Sequence, residues 1–181
     1  VSYGGIGSGG GVRNLTDQIV DFAGSDAFLK DEEMKKLPAV VHIPTCMGAV
    51  VLAYKIKGVK DLKLTGSLVS DIFAGKVTMW NDAKLKAVNP GVNLPNMKIV
   101  PVFRSDGSGT TNVFTDYLSK VSPEWKVKYG SGKSVNFPTG QAAKGNPGVA
   151  GIIGQTEGSI GYIGSEYAFA QNIAYAQLQN P

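Results

Sequence analysis

Short apolar segments alternate with amphipathic segments along this chain, and this alternation restricts its fold class more than any other feature. The segment 98–103 has the composition of a strand, and the segment 109–120 has apolar residues at helical spacing. Four of these residues are expected to face inward: Val113, Phe114, Tyr117 and Leu118. Strands that alternate with helices predict an α/β fold with a largely parallel sheet.

The same patterns assign the remaining elements. Strands are predicted at 1–6, 159–163 and 173–178, and a strand with a turn at 21–26. The segment 39–56 is predicted to be rich in β-structure. Helices are predicted at 12–20, 31–37, 65–73, 84–88, 148–156 and 166–171, with a further one beginning at Pro123. The glycine-rich stretch 7–11 is predicted to be a loop, and 57–66 and 171–179 are candidate crossings between two lobes.

Charge and hydropathy exclude several classes of protein. The chain has 181 residues and a net charge of +4, and its basic residues are scattered rather than clustered. A nucleic-acid partner is therefore not expected. Hydrophobic residues make up 43% of the chain, but no apolar run is long enough for a membrane helix. Direct membrane insertion is therefore not expected either.

Cysteine and histidine each occur once, which limits the chemistry available. Cys46 has apolar neighbours and is expected to be a buried, inert thiol, and His42 is expected in an apolar strand. We therefore expect neither a metal site nor an intrachain disulfide. No catalytic residues are predicted, because a Ser-His-Asp triad would lack a credible base. No cofactor is predicted either.

Three predicted strand-to-helix junctions combine glycine with serine or threonine. They lie at 5–11, 24–26 and 104–111. A helix N-terminus offers unpaired N–H groups, glycine allows close approach of an anion, and hydroxyl groups add donors. Such junctions suit a tetrahedral oxyanion, although serine or threonine can also simply cap each helix. Arg104 beside the third junction favours anion binding there.

The first junction also fits the dinucleotide-binding pattern G-x-G-x-x-G. Gly5, Gly7 and Gly10 occupy its glycine positions, and Asp26 lies near the distance expected for a ribose contact. The unit before Asp21 is short for a strand–helix–strand motif, and this interpretation leaves the third junction without a role. A dinucleotide-dependent oxidoreductase therefore remains an alternative.

Five ordered segments resemble the periplasmic phosphate-binding protein of bacterial phosphate ABC transporters, a class II solute-binding fold. The most specific is 102–118 (VFRSDGSGTTNVFTDYL). The others are 3–11 (YGGIGSGGG), 20–27 (VDFAGSDA), 72–82 (IFAGKVTMWND) and 158–163 (GSIGYI). The resemblance implies a protein of two lobes joined by a hinge, which holds inorganic phosphate in the cleft and is not an enzyme.

The resemblance also implies roles for individual residues. Ser8 would donate from the first junction, and Arg104 would provide the cationic contact. Ser108, Gly109 and Thr110 would donate N–H and hydroxyl groups, and Asp106 would support Arg104 by pairing with it. Asp26 would accept a hydrogen bond from a protonated phosphate oxygen. Sulfate carries no such proton, so Asp26 would discriminate against it.

Relative to the family, the chain is expected to lack an N-terminal strand and loop and the C-terminal part. The segment 1–64 is then a partial first lobe, 65–171 a nearly complete second lobe, and 172–181 a return crossing toward the first. The family implies delivery of phosphate to a membrane permease and a periplasmic or extracytoplasmic location, with a lipid anchor in some precursors. A fragment that keeps the fold but binds phosphate weakly or not at all is the other alternative.

Overall fold

The computed structural model describes residues 2–37 and 39–179, and these residues form eight helices and six strands. The helices are α1 (Gly7–Thr16), α2 (Asp31–Met34), α3 (Gly66–Phe73), α4 (Ala83–Val88), α5 (Gly109–Val121), α6 (Pro123–Lys128), α7 (Gly145–Gln155) and α8 (Ser165–Ala170). The strands are β1 (Val50–Tyr54), β2 (Lys63–Leu64), β3 (Val100–Arg104), β4 (Gln141–Ala143), β5 (Ser159–Gly164) and β6 (Gln177–Leu178).

Four of the strands form one sheet in the order β1-β5-β3-β4. Strand β3 pairs in parallel with β4 and with β5, and β1 pairs antiparallel with β5, with Val50 opposite Gly164. Strands β2 and β6 form a separate parallel pair. Because β1 lies before the predicted lobe boundary at 64/65 and pairs with β5, the strands of the main sheet come from both sides of that boundary, which stays a prediction.

Helices cover both faces of the main sheet. Leu52 of β1 and Tyr162 of β5 point to a core that includes Phe73 of α3 and Phe114 of α5. Ile163 of β5 points to the opposite face and joins a second, smaller core: Ala53, Val102, Ala143, Val149, Ala150, Ile153 and Ala168. Alternate residues of a strand face opposite sides, so β5 is buried along its whole length. The result is a three-layer α/β/α arrangement, which confirms the predicted fold class.

Several helices begin where the sequence predicts. The Thr65 side chain caps α3 by accepting from the Leu68 N–H, and the Ser122 side chain caps α6, with Pro123 in its first turn. The Ser108 hydroxyl caps α5 by accepting from the Thr111 N–H at 3.1 Å. These caps satisfy N–H groups that an isolated helix start would leave unpaired.

The N-terminal part differs from the prediction. The stretch 7–11 is the beginning of α1 rather than a loop, and the helix ends at Thr16 rather than at residue 20. Residues 2–6 and 21–26 form no strand, and Val1 lies outside the described residues. Glycine disfavours helix, but here the Gly9 N–H donates to the Gly107 carbonyl at 2.7 Å, so tertiary contact fixes the conformation.

The predicted β-rich segment 39–56 contains only β1, and its earlier part is irregular and largely exposed. Cys46 is exposed rather than buried. His42 is also exposed, outside any strand, and its Nε2 accepts from the Leu29 N–H at 3.0 Å. Val113 of α5 is 41% exposed, whereas Phe114 and Leu118 are buried as predicted. Of the predicted crossing 172–181, residues 180 and 181 lie outside the described residues.

Candidate functional site

Two helices on opposite faces of the sheet begin at the same edge. Strand β3 ends at Arg104 and leads into α5, and the parallel strand β4 ends at Ala143 and leads into α7. The carboxyl ends of parallel strands are where open α/β sheets place ligands. The chain therefore concentrates two helix starts and a buried guanidinium at one edge.

The Arg104 guanidinium is fixed from two elements. Its Nε donates to Asp106 Oδ1 at 2.7 Å and its Nη2 to Asp106 Oδ2 at 2.5 Å. Its Nη1 donates to Asn146 Oδ1, at the start of α7, at 3.1 Å. The Arg104 side chain is only 5% exposed. The predicted pairing of Asp106 with Arg104 is thus present as a two-pronged ion pair, a strong form of this contact.

Asp106 is ionised under all ordinary conditions. The hydrogen bonds from Arg104 lower the pKa of Asp106 from 3.8 to about 2, although partial burial opposes the shift. The Gly145 N–H also donates to Asp106 Oδ1, at 2.9 Å, and favours the charged form. The carboxylate is therefore a permanent partner that holds the guanidinium plane.

The start of α5 offers backbone donors beside this pair. The N–H groups of Gly109 and Thr110, the first two residues of the helix, have no hydrogen-bond partner among the described residues. The Ser108 N–H is not available, because it donates to the Lys133 carbonyl at 2.8 Å. The Ser108 hydroxyl accepts from Thr111 and retains its own hydrogen for donation.

The first junction lies directly on the third. The Ser8 hydroxyl accepts from the Asp26 N–H at 3.2 Å, and the Thr110 hydroxyl donates to Asp26 Oδ2 at 3.3 Å. A Cβ atom on Gly109 would lie 2.5 Å from Ser8 Oγ and 2.6 Å from Asp26 Cβ. Glycine is therefore required at 109 by the close approach of both segments.

Gly7 makes a similar contact with the ion pair. Its φ of +74° is a conformation that glycine tolerates, and a Cβ atom there would lie 2.5 Å from Asp106 Oδ2 and 3.3 Å from Arg104 Nη2. All seven predicted site residues thus gather at one place: Ser8, Asp26, Arg104, Asp106, Ser108, Gly109 and Thr110.

A buried tyrosine, Tyr162, contacts the residues beneath the start of α5. The Tyr162 hydroxyl accepts from the Arg104 N–H at 3.1 Å and lies 2.8 Å from Thr111 Oγ1. Burial raises the pKa of Tyr162, and these two hydrogen bonds only partly offset that effect. A neutral tyrosine therefore joins β3, β5 and α5 beneath the helix start.

Sequence reasoning missed Gly145 and Asn146. Strand β4 was not predicted, so the junction from β4 into α7 was not recognised as a fourth member of the set. The signal was nonetheless present: the run from Lys144 to Gly148 (KGNPG) combines glycine, asparagine and proline, and it forms the N-cap and first turn of α7.

The structure argues against a dinucleotide site at Gly5, Gly7 and Gly10. That motif needs a strand before its glycines and a second strand after its helix. Among the described residues before β1 there is no strand, and α1 is followed by irregular chain. Asp26, the supposed ribose contact, is instead engaged with Ser8 and Thr110.

Two surface cavities lie away from this constellation. One of about 310 Å³ is bordered by β2, β6 and Val88, and one of about 190 Å³ lies between β1 and α5 beside Tyr117. Within the described ranges, histidine, cysteine and acidic side chains form no cluster suited to a metal ion. The helices described there are too short or too polar to cross a membrane.

Comparison with known proteins identifies the family. A family model described as a PBP superfamily domain matches residues 1–177. The chain is 46% identical over 182 residues to a phosphate-binding protein PstS of Xylella fastidiosa, covering 99% of this chain and 50% of that protein. It is 45% identical to the PstS of Haemophilus influenzae, covering 99% and 54% respectively. The chain spans about half the length of the curated relatives it matches.

The fold comparison agrees. A crystal structure of a phosphate-binding protein from Stenotrophomonas maltophilia matches with a TM-score of 0.76 at 23% identity, over 98% of this chain and 57% of that one. The similarity to PstS-type proteins and the fold class predicted from sequence are both confirmed. The chain belongs to the PBP superfamily.

Proposed function

We propose that this chain binds inorganic phosphate where the seven predicted site residues gather, and that it performs no chemistry on the phosphate. The observation that carries the proposal is the buried Arg104 guanidinium near the N–H groups of Gly109 and Thr110, which have no acceptor within the described part of the chain. A guanidinium and a helix start together form a site for a compact oxyanion. The relatives named above are phosphate-binding proteins, which supports phosphate as that anion.

Arg104 retains donors for a ligand. A guanidinium has five N–H groups, and Asp106 and Asn146 use three of them. One N–H therefore remains on each of Nη1 and Nη2. Such a pair of donors is commonly used to hold phosphate oxygens.

Asp26 provides the basis for selectivity. Its Oδ2 accepts from Thr110, and its Oδ1 accepts from none of the described residues. Phosphate near neutral pH carries an O–H group that can donate a hydrogen bond to a carboxylate, whereas sulfate offers only acceptors. An acceptor facing an acceptor in a closed site is unfavourable and can discriminate by roughly 10⁴-fold.

Equilibrium dialysis with labelled phosphate and sulfate as competitor tests this function. We expect retention of phosphate that sulfate displaces poorly, and we expect Asp26→Asn to lose the discrimination. Asp21→Asn is the matched control, since Asp21 is an exposed acid of the same segment. Equal retention of the two anions would refute the role of Asp26. Retention of neither would favour a chain that keeps the fold without holding phosphate.

We further propose that phosphate is delivered to the permease of a phosphate ABC transporter outside the cytoplasm. The support is the similarity to PstS proteins, and lipid anchoring of a precursor stays a prediction. Phosphate uptake by vesicles containing a purified phosphate permease should rise when this chain is added with phosphate. It should not rise with Arg104→Gln, which removes the cationic contact.

A further inference from the structure

The start of α7 contacts both members of the Arg104–Asp106 pair. Asn146 Oδ1 accepts from Arg104 Nη1 at 3.1 Å, and the neighbouring Gly145 N–H donates to Asp106 Oδ1 at 2.9 Å. Residues 145 and 146 are about 40 positions away from the pair in sequence, and parallel pairing of β3 with β4 brings them to it. One helix start thus supports the arginine and the carboxylate together.

Among residues 2–37 and 39–179, the Asn146 side chain has Arg104 as its one hydrogen-bond partner. It does not cap α7, which begins without a side-chain hydrogen bond to its first N–H groups. The residue is only half-buried, so solvent can reach its amide. A half-exposed asparagine at a helix start needs no internal partner for stability, so this contact points to a role at the guanidinium.

The contact decides where the free donors of Arg104 point. Asp106 alone fixes the guanidinium through Nε and Nη2 and leaves both N–H groups of Nη1 without an acceptor. With Asn146, one Nη1 hydrogen is used and the guanidinium is held at both ends. The remaining N–H groups, one on each terminal nitrogen, then have a fixed direction.

Asn146 supplies this acceptor without adding charge. Arg104 already faces one carboxylate, Asp106. A second carboxylate at position 146 would hold the guanidinium equally well but would repel an incoming anion. The choice of an amide over an acid keeps the site attractive to an anion.

We propose that Asn146 is a positioning residue of the anion site, which orients Arg104 without placing a second carboxylate against the guanidinium. The proposal rests on the proposed function, because it assigns Asn146 a part in phosphate binding. Its first consequence, an ordered guanidinium, is measurable without any ligand.

Arginine side-chain nuclear magnetic resonance measures that consequence. The sequence contains two arginines, Arg104 and the exposed Arg13, so Arg13 is an internal reference. We expect the Nη resonances of Arg104 to be separate in the parent chain and those of Arg13 to be averaged by rotation. Asn146→Ala should broaden or merge the Arg104 signals, whereas Asn146→Asp should keep them separate.

Phosphate binding by calorimetry provides the second measurement. We expect Asn146→Ala to weaken binding about tenfold, as is typical for a lost hydrogen bond to a charged group. Asn146→Asp should weaken it further, by an amount that shrinks as salt is raised. Asn96→Ala is the control variant, since it removes an exposed amide contact with Asn81 elsewhere on the surface.

The outcomes separate the two proposals. If the parent binds phosphate and Asn146→Ala leaves both the Arg104 spectrum and the affinity unchanged, the positioning role is wrong and the proposed function stands. If the parent binds no phosphate, the proposed function fails, and the Arg104 spectra still decide whether Asn146 orders the guanidinium. Should Asn146→Ala not fold, full phosphate affinity in Asn146→Asp at low salt would overturn the charge argument.

Discussion

At the scale of single residues, Gly109 connects the N-terminal segment to α5. Ser8 and Asp26 approach it so closely that a methyl group would overlap both. We expect Gly109→Ala to displace these two residues at a cost of about 1–3 kcal/mol, typical of overpacking. Phosphate calorimetry should show the loss as weakened binding, while the helix α5 itself is retained by circular dichroism.

The matched control for that variant is Gly151→Ala. Gly151 lies within α7, and a Cβ atom there would meet nothing within 4 Å. This change should stabilise the protein by about 0.5–1 kcal/mol, because alanine favours helix over glycine, and should leave binding unchanged. Equal binding by both alanine variants would show that Ser8 and Asp26 do not need to approach Gly109.

Asp106 makes stability depend on pH in a defined range. Its pKa is about 2 in the folded protein against 3.8 ordinarily, and Arg104 is the main cause. Since the folded pKa is the lower one, the contribution is complete above pH about 4 and disappears as pH falls through about 2. We expect Asp106→Asn to lower the free energy of unfolding at pH 7 by about 2 kcal/mol.

Urea unfolding from pH 7 down to pH 2 measures the effect of Asp106→Asn. The difference from the parent should shrink steadily at the acid end. Asp116→Asn removes an exposed pair with Lys120 and should change stability by only a few tenths of a kcal/mol. A constant difference between parent and Asp106→Asn across the whole pH range would contradict the assignment.

At the scale of elements, an ion pair joins α2 to the loop before β4. Lys133 Nζ donates to Glu33 Oε1 at 2.8 Å, and the Lys133 carbonyl accepts from the Ser108 N–H that precedes α5. The hydrogen bond from Lys133 lowers the pKa of Glu33. The pair therefore connects the N-terminal segment to the loop that supports the helix start.

We expect Glu33→Gln to loosen this connection by up to about 1 kcal/mol, the usual range for partly exposed pairs. The amide can still accept from the Lys30 N–H, so the effect isolates the charge. At low salt, limited proteolysis should cut Glu33→Gln within 17–47 faster than the parent. At high salt the two cleavage rates should converge, because salt weakens the ion pair in the parent. Glu32→Gln, an exposed neighbour, should behave as the parent, and equal cleavage of both variants would count against the connection.

Most helices after residue 65 could be predicted because their signals are local. Thr65, Ser108 and Pro123 mark helix starts through contacts made within one turn. The segment around Val41 and Ile43 also has strand-like composition, but a strand requires a partner, and the described residues provide none there. Its side chains are accordingly exposed, and the prediction failed for the same reason at Cys46.

The candidate site was predictable where its residues lie in one recognisable run. Arg104, Asp106 and Ser108 follow one another in sequence, and their mutual contacts appear as expected. The contribution of Asn146 depends on the pairing of β3 with β4, a three-residue strand without a clear pattern. Contacts that arise from strand pairing are not visible in a local pattern.

At the scale of the whole molecule, most buried apolar side chains lie in β1 and the residues after it, and few lie in the described residues before it. Every residue of β5 is buried, with a core on each face of the sheet. Among the described residues before β1, only Ala27 and Leu37 belong to the buried apolar set. Large side chains in that part are exposed, including Phe22 at 77% and Met47 at 99%. Segments with few buried apolar contacts open locally at low free-energy cost.

Native-state hydrogen exchange should therefore separate the chain into two parts. We expect the amides of β5 and β3 to exchange only with global unfolding, and those of 17–49 to exchange far sooner. Because Ser8 and Asp26 form one side of the proposed site, phosphate should slow exchange across 7–27, and sulfate at the same concentration should slow it much less. If phosphate protects only the start of α5, then the N-terminal segment takes no part in binding, and Arg104 with its helix start is the whole of the site.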